Sequence, residues 1–337
     1  MSDWCSIQVR REMGIANGTR SDVARLMPVK GNLWQGLCWA ALSLTIFAGW
    51  FVVTRLSVTH ELRLWDVTAL RFGIGALVLL PVLFASKSRI SPKQWAEGLV
   101  YACLWGMPFV LAVAFGLQIS SARRAAAITP ALMPVFAGVF TWIIFRERQG
   151  TRRWCGYAAI VLGLIWLVVI GAIADGAVHP LGICALVMAA MMWAVYTMLF
   201  RRSTLTPIQS AALICFWSAL LFLPVYVGTG LSRLSYASAG EIALQAIYQG
   251  ILMTGVAIVA FNRSVALLGS SIATAIIALI PAVAAVVAIP VLGERPSEAE
   301  AFAILIVVLG VLLAAGSSAK PSAQSSLSTS SMTRVRS

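Results

Sequence analysis

The sequence predicts an all-α membrane protein with ten transmembrane helices arranged as two inverted five-helix repeats. Three observations carry this prediction: an apolar composition, ten long apolar runs, and a residue pattern that occurs twice. Of the 337 residues, 60% are hydrophobic and 11% are charged, whereas soluble domains are usually about a quarter charged. The net charge of +13 does not predict a nucleic-acid partner, because a nucleic-acid binder needs a water-soluble domain to carry its basic face.

Ten segments are long and apolar enough to cross a bilayer, which requires about 20 predominantly apolar residues per helix. A transmembrane β-barrel would instead show alternating segments of about 10 residues, and the continuous apolar run from Ala303 to Ala315 argues against it. In chain order the predicted spans are residues 33–54, 67–85, 96–117, 125–145, 154–173, 180–200, 208–228, 242–268, 270–292 and 299–317.

Two polar tails flank the spans. Residues 1–30 lack the apolar core of a cleavable signal peptide, and residues 318–337 are rich in serine, which predicts disorder. With a cytoplasmic N-terminus, 17 of the 25 Lys and Arg residues fall in cytoplasmic segments and 6 in outer loops, while Arg71 and Arg263 lie inside spans. This distribution follows the positive-inside rule. It predicts a multi-pass protein of the cell inner membrane with both tails in the cytoplasm.

The apolar part of the chain repeats itself, which predicts one repeat over residues 31–173 and a second over 174–317. Because each half holds five spans, an odd number, the halves must cross the membrane in opposite directions. Inverted repeats are typical of secondary transporters, whose substrate site lies near the bilayer midplane between the repeats. The matching positions are Pro134, Glu147-Arg148 and Gly163 with Pro281, Glu294-Arg295 and Gly310 at a shift of 147, Tyr101 with Tyr248 at the same shift, and Trp50 and Pro81 with Trp193 and Pro224 at a shift of 143.

The doubled pattern, together with Arg71-Phe72 in the second span and Trp193-Ala194 in the sixth, resembles that of the EamA-type transporters of the drug/metabolite transporter superfamily. The resemblance covers residues 31–317. It implies ten helices, two inverted five-helix repeats and export of small metabolites such as amino acids. Within that family, a YddG-like exporter of aromatic amino acids is compatible with the chain, although no motif specifies the substrate.

Aromatic and amide side chains at helical spacing form the predicted substrate site. A phenol or amide facing lipid would lack hydrogen-bond partners, so these faces are expected to point into the bundle. Such a lining suits apolar or aromatic solutes with one polar end, which includes amino acids. The predicted substrate-binding residues are Trp50, Tyr101, Trp105, Gln118, Trp193, Tyr196, Gln245, Tyr248, Gln249, Asn262 and Arg263.

Prolines and charged residues receive other roles. Pro134 and Pro281 are predicted to kink the fourth and ninth spans near mid-bilayer and to serve in gating, because a proline frees a carbonyl there. Arg71 is assigned a structural role, by snorkelling or pairing; binding of a substrate carboxylate is the alternative. Glu147 and Glu294 are predicted to fasten each repeat by pairing with Arg148, Arg152 or Arg295.

No predicted span contains an Asp, Glu or His at mid-membrane, where a proton-coupled antiporter usually has one. We therefore predict facilitated diffusion or exchange by alternating access; the alternatives are a proton-coupled pump for drugs or organic cations and, from other classes, a channel or a membrane enzyme. The six cysteines are isolated and both histidines lie in loops, so no catalytic residue, metal or cofactor is predicted. The expected partners are a small-molecule substrate and the lipid bilayer. The only G-x-x-x-G pair lies in the N-terminal tail, so a monomer is expected.

Overall fold

Helices account for every regular element in the computed structural model, which describes residues 30–84, 90–146, 149–175 and 179–315. A 3₁₀ turn spans Leu234–Tyr236, and a π-helical segment, Ala246–Val256, joins α9 to α10. The α-helices are α1 Lys30–Thr59, α2 Leu64–Phe84, α3 Pro92–Trp105, α4 Met107–Ile119, α5 Ala122–Phe145, α6 Thr151–Asp175, α7 Pro180–Phe200, α8 Pro207–Gly228, α9 Ala239–Gln245, α10 Ala257–Leu268, α11 Ser270–Ile277, α12 Ile280–Leu292 and α13 Glu298–Ala315.

These helices confirm the predicted ten-span fold. Within the described ranges, nine helical stretches are long and apolar enough to cross a membrane, and the remaining crossing, the ninth in chain order, is made by α11 followed by the shorter apolar helix α12. Two crossings are interrupted. The third breaks at Gly106, two residues before Pro108, and the ninth breaks at residues 278–279, with Pro281 in the first turn of α12. A proline fits at the start of a helix because the N–H that it lacks would have no intrahelical partner there.

The repeat-related prolines act differently on the backbone. Pro281 follows a helix break, whereas Pro134 and Pro130 lie inside α5, which continues past both. Two other helices begin at capping boxes that the sequence encodes directly. Ser91 and Gln94 start α3, and Thr206 and Gln209 start α8, each box being followed by a proline at the first helical position.

Helix packing shows the two-fold relation between the repeats. The first and sixth spans are equivalent, and they make equivalent contacts. The first packs on the eighth and the ninth, and the sixth packs on the third and the fourth. Two further contacts obey the same relation, since the second span packs on the eighth and the seventh packs on the third. Three others pair equivalent helices with each other: α2 with α8, α5 with α12, and α6 with α13. The interface between the repeats therefore runs through the centre of the bundle, where both halves contribute side chains.

Candidate substrate site

A small cavity of about 30 Å³ lies at the centre of the bundle, between the repeats. Both repeats line it, and Trp105 and Ile280 stand where the third and ninth spans are interrupted. Interrupted helices at a repeat interface are the usual setting of a transporter's substrate site. The lining residues are Phe47, Trp50, Phe51, Arg71, Trp105, Phe109, Pro130, Trp193, Met253 and Ile280.

Stacked aromatic rings form most of the wall. Phe109 lies between the repeat-related tryptophans, with its ring centroid 6.2 Å from that of Trp50 and 6.1 Å from that of Trp193. Trp105 stacks on Trp193 at 6.0 Å and on Tyr196 at 4.8 Å. Stacked and edge-to-face pairs at these distances stabilise one another beyond the burial of their area. The wall is therefore a fixed aromatic surface.

A hydrogen-bond network centred on Gln249 lies behind the cavity wall and holds Trp50 and Arg71, two of the lining residues. Both amide N–H groups of Gln249 are used, one donating to Thr54 Oγ1 at 2.9 Å and the other to Gln245 Oε1 at 3.0 Å. Its carbonyl oxygen accepts from Trp50 Nε1 at 2.8 Å and from Arg71 Nη1 at 3.2 Å. Gln245 in turn donates to the Val53 carbonyl at 2.8 Å. These bonds fix the orientation of the Gln249 amide.

Arg71 is the charged residue of the cavity lining. It lies on the third turn of α2 with 6% of its surface exposed, and its guanidinium carbon stands 5.2 Å from the centre of the Trp50 ring. Its Nε–H is buried and donates to no group in the described part of the chain. The ion pairs found there do not include Arg71. The cavity thus combines an aromatic wall with a buried cation that has a free hydrogen-bond donor.

The predicted site residues divide into three groups. Trp50, Trp105 and Trp193 line the cavity. Tyr196, Gln245 and Gln249 are buried directly behind it, and Tyr101 packs edge-on against Tyr196 at 5.3 Å. The others lie away from the lining: Tyr248 donates to the Ile46 carbonyl, Gln118 and Arg263 are exposed, and Asn262 is half-buried on α10. Sequence reasoning missed Phe47, Phe51, Phe109, Met253 and Ile280, since an apolar residue in an apolar span carries no local signal of a cavity.

A second group of charged residues closes one end of the bundle, where α1, α4 and α12 finish. We call Arg55, Arg123, Arg124, Glu294 and Glu300 the Arg–Glu cluster. Glu300 Oε1 accepts from Arg123 Nη2 at 3.1 Å and from Arg124 Nη2 at 3.4 Å, and all three residues are buried. Glu294 pairs with Arg55 at 3.6 Å and with Arg123 at 3.8 Å.

The Arg–Glu cluster also satisfies helix ends. Arg55 donates to the carbonyls of Leu117 and Gln118 at the end of α4, where a cation is favourable. Glu294 accepts from the first N–H of α5, that of Ala122, at 3.1 Å. Glu294 was predicted to pair with Arg148, Arg152 or Arg295. In the structure it pairs with Arg55 and Arg123, which are remote from it in sequence. Glu147 lies outside the described residues.

Neutral donors hold the other described carboxylates at this end. Asp66 accepts from Tyr226 Oη at 2.5 Å and from the N–H groups of Arg63 and Arg233 at 2.8 and 2.9 Å. Glu61 accepts from the Ser238 N–H at 2.6 Å, and this backbone donor lowers the pKa of the exposed Glu61 carboxyl because it favours the ionised form. These contacts tie the loop after α1 to the segment before α9.

Comparison with known proteins supports the two-repeat architecture. A model of the EamA-like transporter family matches twice, over residues 34–169 and 180–316. An uncharacterized transporter of Clostridium kluyveri is 24% identical over 264 residues, which cover 74% of this chain and 82% of that protein. A crystal structure at 20% identity superposes with a TM-score of 0.59 and covers 83% of this chain and 96% of its own. At that identity the superposition shows a shared fold.

Proposed function

This chain belongs to the EamA-like transporter family, and from that premise we propose that it exports amino acids, including aromatic and other hydrophobic ones, by alternating access at the central cavity. The observation that carries the proposal is the cavity itself, which both repeats line with aromatic rings around a single buried cation. An aromatic pocket with one polar anchor suits a solute that has an apolar body and one charged end. Amino acids with large side chains have that shape.

We place the protein in the cell inner membrane with its termini in the cytoplasm, following the distribution of Lys and Arg. In this orientation the Arg–Glu cluster lies at the outer end of the bundle and joins α1, α4 and α5 of the first repeat to α12 and α13 of the second. The cluster would then hold the outer end closed while the substrate exchanges with the cytoplasm.

The repeat relation explains why the two ends of the pathway differ. At the shift of 147, the positions equivalent to Arg123 and Arg124 are Ser270 and Ser271, and the position equivalent to Glu300 is Arg153. The inner end therefore lacks the matching set of charges. We propose that this difference in charge favours the state that is closed outside, since buried ion pairs must be separated to open the outer end.

The proposed transport is facilitated diffusion or exchange. None of the residues that line the cavity is acidic, and each carboxylate with a described side chain lies in a loop or in the first two turns of a helix. A proton-coupled pump for drugs or organic cations would need a titratable group in contact with the substrate site. The central cation also disfavours a cationic substrate.

Counterflow of labelled phenylalanine into proteoliposomes tests this function, with the same pH on both sides and a protonophore present. We expect saturable uptake that depends on unlabelled amino acid inside the vesicles. The Trp193→Ala variant should raise the half-saturating concentration about thirtyfold, because loss of a tryptophan anchor at a binding site costs about 2 kcal/mol and 1.4 kcal/mol corresponds to a factor of ten.

Trp154→Ala is the matched control, because Trp154 lies on α6, is 38% exposed and packs against the exposed Trp142. Its kinetics should equal those of the unmodified protein. Uptake that requires an imposed pH gradient would refute the proposed coupling, and unchanged kinetics in Trp193→Ala would remove the central cavity from the transport path.

A further inference from the structure

The unusual feature of the cavity is a buried guanidinium that pairs with no carboxylate of the described residues. Only 6% of the Arg71 surface is exposed. Its one described hydrogen bond goes to the neutral amide oxygen of Gln249 at 3.2 Å. A buried charge is normally paired, because removing an ion from water without a counter-charge costs several kcal/mol. The cavity beside Arg71 is the place from which a counter-charge can arrive.

From this geometry we infer that Arg71 binds the carboxylate of the transported solute, and that the carboxylate is required for binding whereas the amino group is dispensable. The inference rests on the proposed function and specifies its substrate class: monocarboxylates with an aromatic or bulky apolar body. Amino acids belong to this class, as do the oxo acids, hydroxy acids and simple acids that share their side chains.

The bonds around Gln249 determine which edge of the guanidinium is available. Gln249 holds Nη1, and its own amide is fixed by Thr54 and Gln245. The Nε–H, which has no partner in the described chain, lies on the opposite edge of the guanidinium, together with Nη2. A guanidinium edge of two parallel donors matches the two oxygens of a carboxylate. Gln249 is thus a positioning residue for Arg71.

The rest of the lining explains why the amino group is dispensable. The hydrogen bonds of an ammonium group need acceptors, and the lining side chains other than Arg71, which are Phe, Trp, Pro, Met and Ile, offer no oxygen. The positive charge of Arg71 also opposes a second cation over the aromatic faces. The tryptophan N–H groups are donors and cannot accept from an ammonium. The aromatic faces provide area for the apolar body of the solute, and the buried cation provides its orientation.

Binding measurements on the purified full chain test this inference with three probes of similar size: L-phenylalanine, 3-phenylpropionate and 2-phenylethylamine. We expect the two carboxylates to quench tryptophan fluorescence saturably and to raise the melting temperature, and the amine to do neither. Arg71→Gln should weaken the binding of both carboxylates by about 10- to 100-fold, the range expected for losing hydrogen bonds to a charged group. Arg71→Lys should lie between, because it keeps the charge but loses the paired donors.

Arg201→Gln is the control, since Arg201 is exposed at the end of α7, and it should bind all three probes as the unmodified protein does. A merely structural role for Arg71 predicts a lower melting temperature without ligand in Arg71→Gln; we expect no such decrease, because the variant removes an unpaired buried charge. Equal binding of the amine, or carboxylate binding that survives in Arg71→Gln, overturns the inference while phenylalanine counterflow still supports the transport function. Absence of binding by every probe, together with absence of counterflow, overturns both.

Discussion

The Glu300→Ala variant is expected to unfold with a free energy lower by about 3–5 kcal/mol, the cost of removing one partner from a buried ion pair. Glu300 is 2% exposed, and its Oε1 accepts from Arg123 Nε at 3.2 Å, from Arg123 Nη2 at 3.1 Å and from Arg124 Nη2 at 3.4 Å. Without Glu300, Arg123 retains the longer ion pair to Glu294 at 3.8 Å. The buried guanidinium groups of Arg123 and Arg124 would then lose the carboxylate that neutralises both of them, which destabilises the folded state.

The same substitution removes a helix cap. Glu300 Oε2 accepts from the Ser297 N–H at 3.0 Å while the Glu300 N–H donates to Ser297 Oγ at 3.2 Å, which together form a capping box at the start of α13. A lost cap costs about 1 kcal/mol. Glu300→Gln separates the two effects, because an amide oxygen can still accept from Ser297 but carries no charge.

Denaturant unfolding in detergent micelles, followed by tryptophan fluorescence, measures these losses. Glu298→Ala is the matched control: it removes the same charge from the same first turn of α13, but Glu298 is exposed. We expect its midpoint to change little, and that of Glu300→Gln to fall between those of the other two variants. A Glu300→Ala midpoint equal to that of Glu298→Ala would show that the Arg–Glu cluster does not stabilise the folded bundle.

The fold could be predicted from the sequence because a bilayer imposes length and polarity on every crossing segment. A hydropathy window averages over residues 278–279 and gives no sign that the ninth span is divided there. The prediction for this span was a kink at Pro281, which lies in the first turn of α12, just after the break. The predicted kinks at Pro134 and Pro281 each rested on a single proline. Helix α5 continues past Pro134, so a proline alone does not decide whether a helix stops.

The site could be predicted only where a residue differed from its surroundings. The repeat shift marked Trp50 and Trp193, and polarity within an apolar span marked Gln249. The same two signals also selected Tyr248 and Arg263, which the structure places outside the cavity lining. Position along a helix does not distinguish a side chain that reaches the interface from one that faces a cavity, and for this reason Arg71 had two interpretations. The partners of Glu294 were hidden by sequence separation, since Arg55 and Arg123 approach it only in the folded bundle.

The second large effect is expected at the crossing of α6 and α13, the last helices of the two repeats. A Cβ atom at Gly156 would lie 2.7 Å from Ala314 N and 2.8 Å from Gly310 O, and a Cβ atom at Gly310 would lie 2.9 Å from Gly156 O. These neighbours are backbone atoms, which cannot rotate away as a side chain can. Close approach through small residues is the usual way in which helices associate within a membrane.

We therefore expect Gly156→Ala to destabilise the bundle by about 1–3 kcal/mol, the cost of overpacking a tight contact, even though alanine is about 1 kcal/mol better than glycine in a helix. Gly240→Ala supplies the contrast, since a Cβ atom at Gly240 in α9 meets nothing within 4 Å and this variant should be neutral or slightly stabilised.

The pseudo-two-fold relation adds an internal comparison. At the shift of 147 the equivalent of Gly156 is Ala303, which faces Gly163 across the same crossing: a Cβ atom at Gly163 would lie 3.2 Å from Ala303 O. One side of the crossing thus already accommodates an alanine. Ala303→Gly should cost about 1 kcal/mol through helix propensity, with the helices remaining in place. Equal unfolding midpoints for Gly156→Ala and Gly240→Ala would contradict this expectation. They would show that α6 and α13 can move apart to accept a methyl group without loss of stability, and that their close crossing does not hold the repeats together.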